Sequence, residues 1–213
     1  MIVGTDAEDV VDSSGETTGV NIDLTAAGNF VSFEDAIGSE FDDTITGNSV
    51  RNKLWGKGGD DSIMGGGGND TIFPGAGNDT VDGEAGFDLV NYKDATARVS
   101  INLATASVSS SEGDDDIANF EGAVGSPFSD SIVGDGGSNL LKGGKGNDNV
   151  RGGGGDDTLK GGSGKDRLRG GTGDDDMFGG PGNDYLDGGA GSDFCKGGPG
   201  KDKKKRCEGG GRG

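Results

Sequence analysis

The sequence predicts an all-β fold, a right-handed parallel β-solenoid, on three observations. A nine-residue repeat recurs fifteen times in two arrays, six copies over residues 38–91 and nine over residues 125–205. Each copy is glycine-rich in its first half and carries an apolar residue at its eighth position, with few exceptions. The composition supports little else: 49 of 213 residues are glycine, 29% are hydrophobic and 6% aromatic, too few for an ordinary packed core. Without a period such a chain reads as disordered; a fixed period of this kind marks a stacked repeat architecture.

Residues 143–205 read GGKGNDNVR, GGGGDDTLK, GGSGKDRLR, GGTGDDDMF, GGPGNDYLD, GGAGSDFCK and GGPGKDKKK without a gap, preceded in frame by GSPFSDSIV and GDGGSNLLK. The earlier array reads GSEFDDTIT, GNSVRNKLW, GKGGDDSIM, GGGGNDTIF, PGAGNDTVD and GEAGFDLVN. One inward side chain per repeat supports a strand of only about three residues. The glycine half is then a tight turn, because glycine adopts positive φ and lets backbones approach closely. Two strand-turn repeats close one flattened coil, and successive coils stack at about 4.8 Å. The inward slot holds Ile45, Leu54, Ile63, Ile72, Val81 and Val90 in the first array, and Ile132, Leu141, Val150, Leu159, Leu168, Met177 and Leu186 in the second. Cys195 takes the next slot and Lys204 breaks it.

A longer repeat overlies the short one. Val20, Ile22 and Leu24 recur as Val99, Ile101 and Leu103, and the segment 33–39 recurs as 120–126. The alternation of apolar residues is a strand signal. The expected organisation is a truncated repeat with an irregular β stretch (1–37), a first array (38–91), an irregular β stretch (92–124), a second array (125–205) and a tail (206–213). The irregular stretches are expected to form longer, looser coils that continue or cap the solenoid. Residues 1–9 read as the end of a preceding array, so the chain reads as part of something longer.

The formal charge is −19, carried by residues 1–141, while residues 142–213 are nearly balanced. This opposes nucleic acid as a partner of the whole chain and favours cations. Histidine is absent, which removes His-based triads and His-ligated zinc. No window has the length and apolarity of a membrane span, and the N-terminus lacks the regions of a signal peptide. No HExxH, GxSxG or GxxxxGK[ST] occurs, so no catalytic segment is legible. Position six of the repeat is instead acidic almost throughout: Asp43, Asp61, Asp70, Asp79 and Asp88, then Asp130, Asp148, Asp157, Asp166, Asp175, Asp184, Asp193 and Asp202, with Asn52 and Asn139 as the exceptions. Stacked coils put these carboxylates in rows, where like charges repel. The rows therefore need a bound cation.

These repeats fit GGxGxDxUx, and the sequence resembles the RTX, or haemolysin-type, calcium-binding repeat family. The resemblance implies a β-roll that binds several Ca²⁺ ions. Calcium takes six to eight oxygens, and the family places each ion between loops n and n+2, using the position-six Asp and turn carbonyls. The implied pairs are Asp43/Asp61, Asp61/Asp79, Asp70/Asp88, Asp130/Asp148, Asp148/Asp166, Asp157/Asp175, Asp166/Asp184, Asp175/Asp193 and Asp184/Asp202. The last five pairs are favoured, because both loops keep their glycines; the sites at Asp43 and Asp130 are disfavoured, because their loops lose glycines, and Asn52/Asp70 and Asn139/Asp157 lose a charge and are expected to be weak or empty.

Cys195 and Cys207 are expected to pair in a secreted chain and to staple the last coil. The run Lys203-Lys204-Lys205-Arg206 reads as a solvated end of the solenoid, and the tail does not resemble the secretion signals that follow RTX arrays. The aromatic residues Trp55, Phe73 and Phe178 fall at position nine, suited either to packing across a face or to a partner. The function expected is a non-enzymatic, extracellular bacterial module that folds on binding Ca²⁺. The alternatives are an adhesin or surface-matrix protein with a carbohydrate or cell-surface ligand, and an accessory domain of a secreted enzyme.

Overall fold

The computed structural model describes residues 9–25 and 33–208. The expectation for residues 1–9 falls, but for the last of them, outside these. Among the described residues there is no helix, and none long and apolar enough to cross a membrane. The chain forms two compact units. The first takes the chain through Asn91 together with Glu112–Phe120; the second takes Tyr92–Ser111 and Glu121 onward. The irregular stretch 92–124 is thus divided between them.

In the first unit, one parallel sheet stacks Asp9–Asp12, Phe33–Ile37, Lys53–Gly58, Thr71–Ala76 and Leu89–Asn91 in that order. The other stacks Asn21–Asp23, Thr44–Thr46, Ser62–Met64, Thr80–Asp82 and Asp114–Ala118. Alternate repeats fall in opposite sheets, so each coil contains two repeats. The register advances 18 residues per coil, with Ile45 beside Ile63 and Leu54 beside Ile72. Position eight points inward from both sheets, and Ile45, Leu54, Ile63, Ile72, Val81 and Val90 are all buried. Each such burial contributes about 1.5–3 kcal/mol. Position nine faces outward, where Trp55 and Phe73, neighbours in register, stack at 4.9 Å.

The second unit repeats the plan. Gly122–Val124, Leu140–Lys145, Thr158–Ser163, Asp176–Phe178 and Phe194–Lys196 form one sheet. Ser100–Asn102, Ser131–Val133, Asn149–Gly154, Arg167–Thr172, Tyr185–Ala190 and Lys203–Lys205 form the other. Two features depart from the sequence reading. Ser100–Asn102 also pairs antiparallel with Ser107–Ser109, so the irregular stretch inserts a hairpin into an otherwise parallel plan. Several strands run to six residues rather than three. Pairing there continues into the glycine half, with Gly144 beside Gly162 and Gly153 beside Gly171.

The last coil is tied down by its own tail. Cys195 and Cys207 are joined, with Cα atoms 5.7 Å apart. Lys204, which breaks the apolar slot, donates from Nζ to the Cys195 carbonyl at 2.9 Å. Arg206 donates to Asp187 at 2.6 Å, and that bond holds the Asp187 carboxyl below its usual range. The basic run is therefore bonded to the roll rather than merely solvated.

Candidate metal centre

Position six lies at the mouth of each turn, one residue before the strand, and its side chain folds back under its own glycine loop. Among the described residues, Asp61, Asp70, Asp79, Asp88, Asp148, Asp157, Asp166, Asp175, Asp184 and Asp193 are all buried. Each uses Oδ1 to accept a backbone N–H from position six of the coil before it. Asp43 donates to Asp61 at 2.8 Å, Asp148 to Asp166 at 2.9 Å and Asp166 to Asp184 at 2.9 Å. The remaining pairs of the implied set are bonded in the same way. So are Asn52 to Asp70 and Asn139 to Asp157. The structure therefore brings the n and n+2 residues together throughout both arrays.

The other oxygen is the informative one. In those ten buried aspartates, Oδ2 is enclosed and has no hydrogen-bond donor. A buried unpaired carboxylate oxygen is costly. The surrounding space is built from oxygen and glycine. A Cβ placed on Gly56 would lie 2.3 Å from Asp61 Oδ2 and 2.2 Å from the Pro74 carbonyl oxygen. One on Gly161 would lie 2.4 Å from Asp166 Oδ2 and 2.6 Å from the Gly179 carbonyl oxygen. Position one is glycine in every repeat but the one that opens with Pro74, so that a carboxylate and the next coil's carbonyl can both approach it. This donor set of carboxylates and carbonyls suits a hard cation such as Ca²⁺. No group of three or more carboxylates, cysteines or histidines converges among the described residues, so side chains alone would not complete a site and the turn carbonyls must contribute.

Burial dominates the electrostatics of the row. It pushes Asp61 up to about 8 and Asp70, Asp79, Asp148 and Asp157 up to about 7. It pushes Asp166 and Asp175 up to about 6. The backbone N–H bonds oppose this rise, and the neighbouring carboxylates of the row reinforce it. A bound divalent cation removes the same penalty without a proton.

The first two repeats of each array differ. Asp43 Oδ2 accepts the backbone N–H of Ser39 at 2.6 Å, and its Oδ1 accepts the N–H of Val20 at 2.7 Å and the Ser39 hydroxyl at 2.9 Å. Asp130 repeats this with Ser126 and Val99. Asn52 accepts from the Asn48 N–H and donates its amide to the Glu34 carbonyl; Asn139 does so with Asp135 and Glu121. The local cause is the backbone at position two. Every one of the ten aspartates whose Oδ2 accepts no hydrogen bond belongs to a repeat whose second residue has positive φ. Eight of these residues are glycines, and the other two are Lys57 at 85° and Glu84 at 63°. Ser39, Asn48, Ser126 and Asp135 have no such φ. Positive φ turns the N–H away from the carboxylate and into the ladder, as Gly162 and Gly180 show by donating to the Gly179 and Gly197 carbonyls.

One ligand-position residue escaped the sequence reading. Asp79 has no repeat 18 residues on. Its N–H donates instead to Oδ1 of Asp115, 36 residues on, at 3.1 Å. Thr80–Asp82 pairs with Asp116, Ile117 and Ala118 in register. Asp115 is buried and occupies position six of a degenerate repeat. The signal was present as Gly113-Asp114-Asp115-Asp116-Ile117, half a repeat without its leading glycines.

The family of the RTX calcium-binding nonapeptide repeat, taken four copies at a time, matches residues 37–72, 55–90, 124–159, 152–186, 160–195 and 169–203. The chain belongs to this family. The matches span more than half of the sequence and coincide with the two arrays. No curated protein matches the chain. The RTX repeat is a structural calcium-binding module, and the parallel coils described above are its β-roll.

Proposed function

We propose that this chain is a secreted, non-catalytic RTX module whose two arrays fold when calcium fills the aspartate rows. The supporting observation is the set of ten buried Oδ2 atoms without a donor. Metal-free, these carboxylates lie enclosed in rows where like charges repel. Calcium-loaded, they become ligands. The ions would be held by Asp61, Asp70, Asp79, Asp88, Asp148, Asp157, Asp166, Asp175, Asp184, Asp193 and Asp202 with turn carbonyls, and by Asp115 as the partner of Asp79. Asp43 and Asp130 already accept protein donors on both oxygens, so they would contribute least.

Folding and binding are then linked. A site with free calcium tenfold above its Kd adds about 1.4 kcal/mol, and eight such sites add roughly 11 kcal/mol, comparable to the whole stability of a domain. The gain vanishes at cytosolic calcium, so the chain stays unfolded before export and folds outside the cell. Titrating Ca²⁺ into chelator-treated protein, followed by far-UV circular dichroism with Mg²⁺ as control, tests this. A cooperative rise in β signal with Ca²⁺ alone is expected. A full β signal in excess chelator at pH 7.5 overturns the reading.

A further inference from the structure

The second unit carries a face that the calcium reading leaves unexplained. On the sheet containing Arg167–Thr172, positions five and seven line a groove of about 680 Å³. Successive coils present Asn147, Lys165, Asn183 and Lys201 at position five. At position seven they present Asn149, Arg167, Tyr185 and Lys203. At these two positions cations therefore recur on every second coil, with amides and a tyrosine between. Arg169 adds to the first cationic rung and lies in register beside Arg151. Among the described residues none of Arg151, Lys165, Arg167, Arg169, Lys201 and Lys203 has an ion-pair partner, although all are exposed. Like charges side by side on neighbouring strands are destabilising. The only acids lining the groove are the buried row members Asp148, Asp166 and Asp184, which calcium would neutralise.

We propose that this groove binds a linear glycan carrying one carboxylate per disaccharide. The inference rests on the calcium-loaded roll. Adjacent coils lie about 4.8 Å apart, so the cationic rungs recur at about 9.6 Å. An extended glycan with an acid on alternate sugars repeats its charge on that scale. A nucleic acid does not: its charges recur at about 3.4 Å along one strand, and the groove offers one half-buried tyrosine rather than a series of stacking platforms. Arginine forks match carboxylates bidentately. Asn147 and Asn183 give their Oδ1 atoms to the backbone N–H of Lys165 and Lys201, which leaves their NH₂ groups as donors for sugar hydroxyls. Tyr185 supplies a ring face between the rungs.

The test uses the full chain in saturating Ca²⁺, with circular dichroism reporting the fold. A hyaluronan decasaccharide is the probe, against its carboxyl-reduced counterpart and a single-stranded DNA 20-mer, by calorimetry. Binding of the decasaccharide is expected, weakened at least tenfold by carboxyl reduction. It is also expected to weaken at least tenfold in R167A/K203A, and less than twofold in K142A/K160A on the opposite sheet. Folded protein that ignores the decasaccharide, binds the reduced form equally, binds DNA more tightly or responds equally to both double variants overturns the glycan inference. A chain that fails to fold with calcium refutes the calcium reading instead.

Discussion

In the first repeat of each array, Asp43 and Asp130 give Oδ2 to the backbone N–H of Ser39 and Ser126. In the later repeats no donor reaches the same atom of Asp61 or Asp148. The side chain is buried in both places and its Oδ1 accepts a backbone N–H from the coil before, to which Ser39 and Ser126 add a hydroxyl donor. What differs is position two, both its side chain and its backbone torsion. Where that residue keeps a negative φ, its N–H closes the carboxylate with protein. Where φ is positive, the N–H joins the ladder and the carboxylate is left for a cation. Asn52 and Asn139 complete the protein-closed pair, since an amide NH₂ reaches a carbonyl that a carboxylate could only repel. Each array thus opens with two self-satisfied turns and continues with turns whose Oδ2 has no protein donor.

The largest test of this contrast is calcium removal. At pH 7.5, hydrogen exchange in chelator is expected to lose protection throughout residues 143–193, with the smallest calcium dependence at residues 39–52 and 126–139. Uniform loss would erase the distinction. Protons are expected to substitute in part for calcium. The raised carboxyls of Asp61, Asp70, Asp79, Asp148 and Asp157 hold protons in the metal-free fold up to about pH 7–8, whereas the unfolded chain releases them near pH 4. The folded state binds more protons, so metal-free stability falls as pH rises from about 4 through 8. Acidifying chelated protein from pH 8 to pH 5.5 is expected to restore β signal, and calcium binding at pH 7 to release protons measurable with an indicator dye. Loss of β signal on acidification would contradict the burial argument.

Substitutions sharpen the contrast residue by residue. Asp166 serves two pairs through the bonds from Asp148 and to Asp184, so Asp166→Asn is expected to raise the calcium midpoint about tenfold or more, equivalent to about 1.4 kcal/mol. Asp130→Asn is expected to shift that midpoint less than threefold while lowering calcium-saturated stability by about 1 kcal/mol through its lost backbone bonds. Equal midpoint shifts would remove the distinction between closed and open turns. Gly162→Ala puts a Cβ within 1.9 Å of the Gly144 carbonyl oxygen at φ 108°. A calcium-saturated loss of about 2 kcal/mol or more is expected in urea. The smallest effect has the opposite sign. Lys57→Gly and Glu84→Gly relieve positive φ at the two non-glycine positions, for a gain of about 1 kcal/mol each. The Lys57–Glu40 pair at 3.9 Å is exposed on both sides and offsets little of that gain. Destabilisation by either change would mean that the positive φ is not a source of strain.

The sequence by itself determined the coil, the inward slot and the acidic rows, because each follows from chemistry repeated within nine residues. A glycine pair needs a turn, one apolar residue needs an interior, and a carboxylate in every turn makes a row when turns stack. It also marked the turns that depart from the pattern, since Asn52 and Asn139 replace the charge and Ser39 and Ser126 replace the glycine. Only the tertiary structure decided how those positions are satisfied. The N–H bonds to Oδ1 join residues 18 apart, and the bond to Asp115 joins residues 36 apart across an excursion of the chain. The bond from Lys204 to the Cys195 carbonyl is likewise a contact that no nine-residue window contains. Periodicity specifies what every coil offers, but which coil receives it depends on the path of the chain between arrays. Within each unit that path completes burial and hydrogen bonding, as the bond from Asp79 to Asp115 shows.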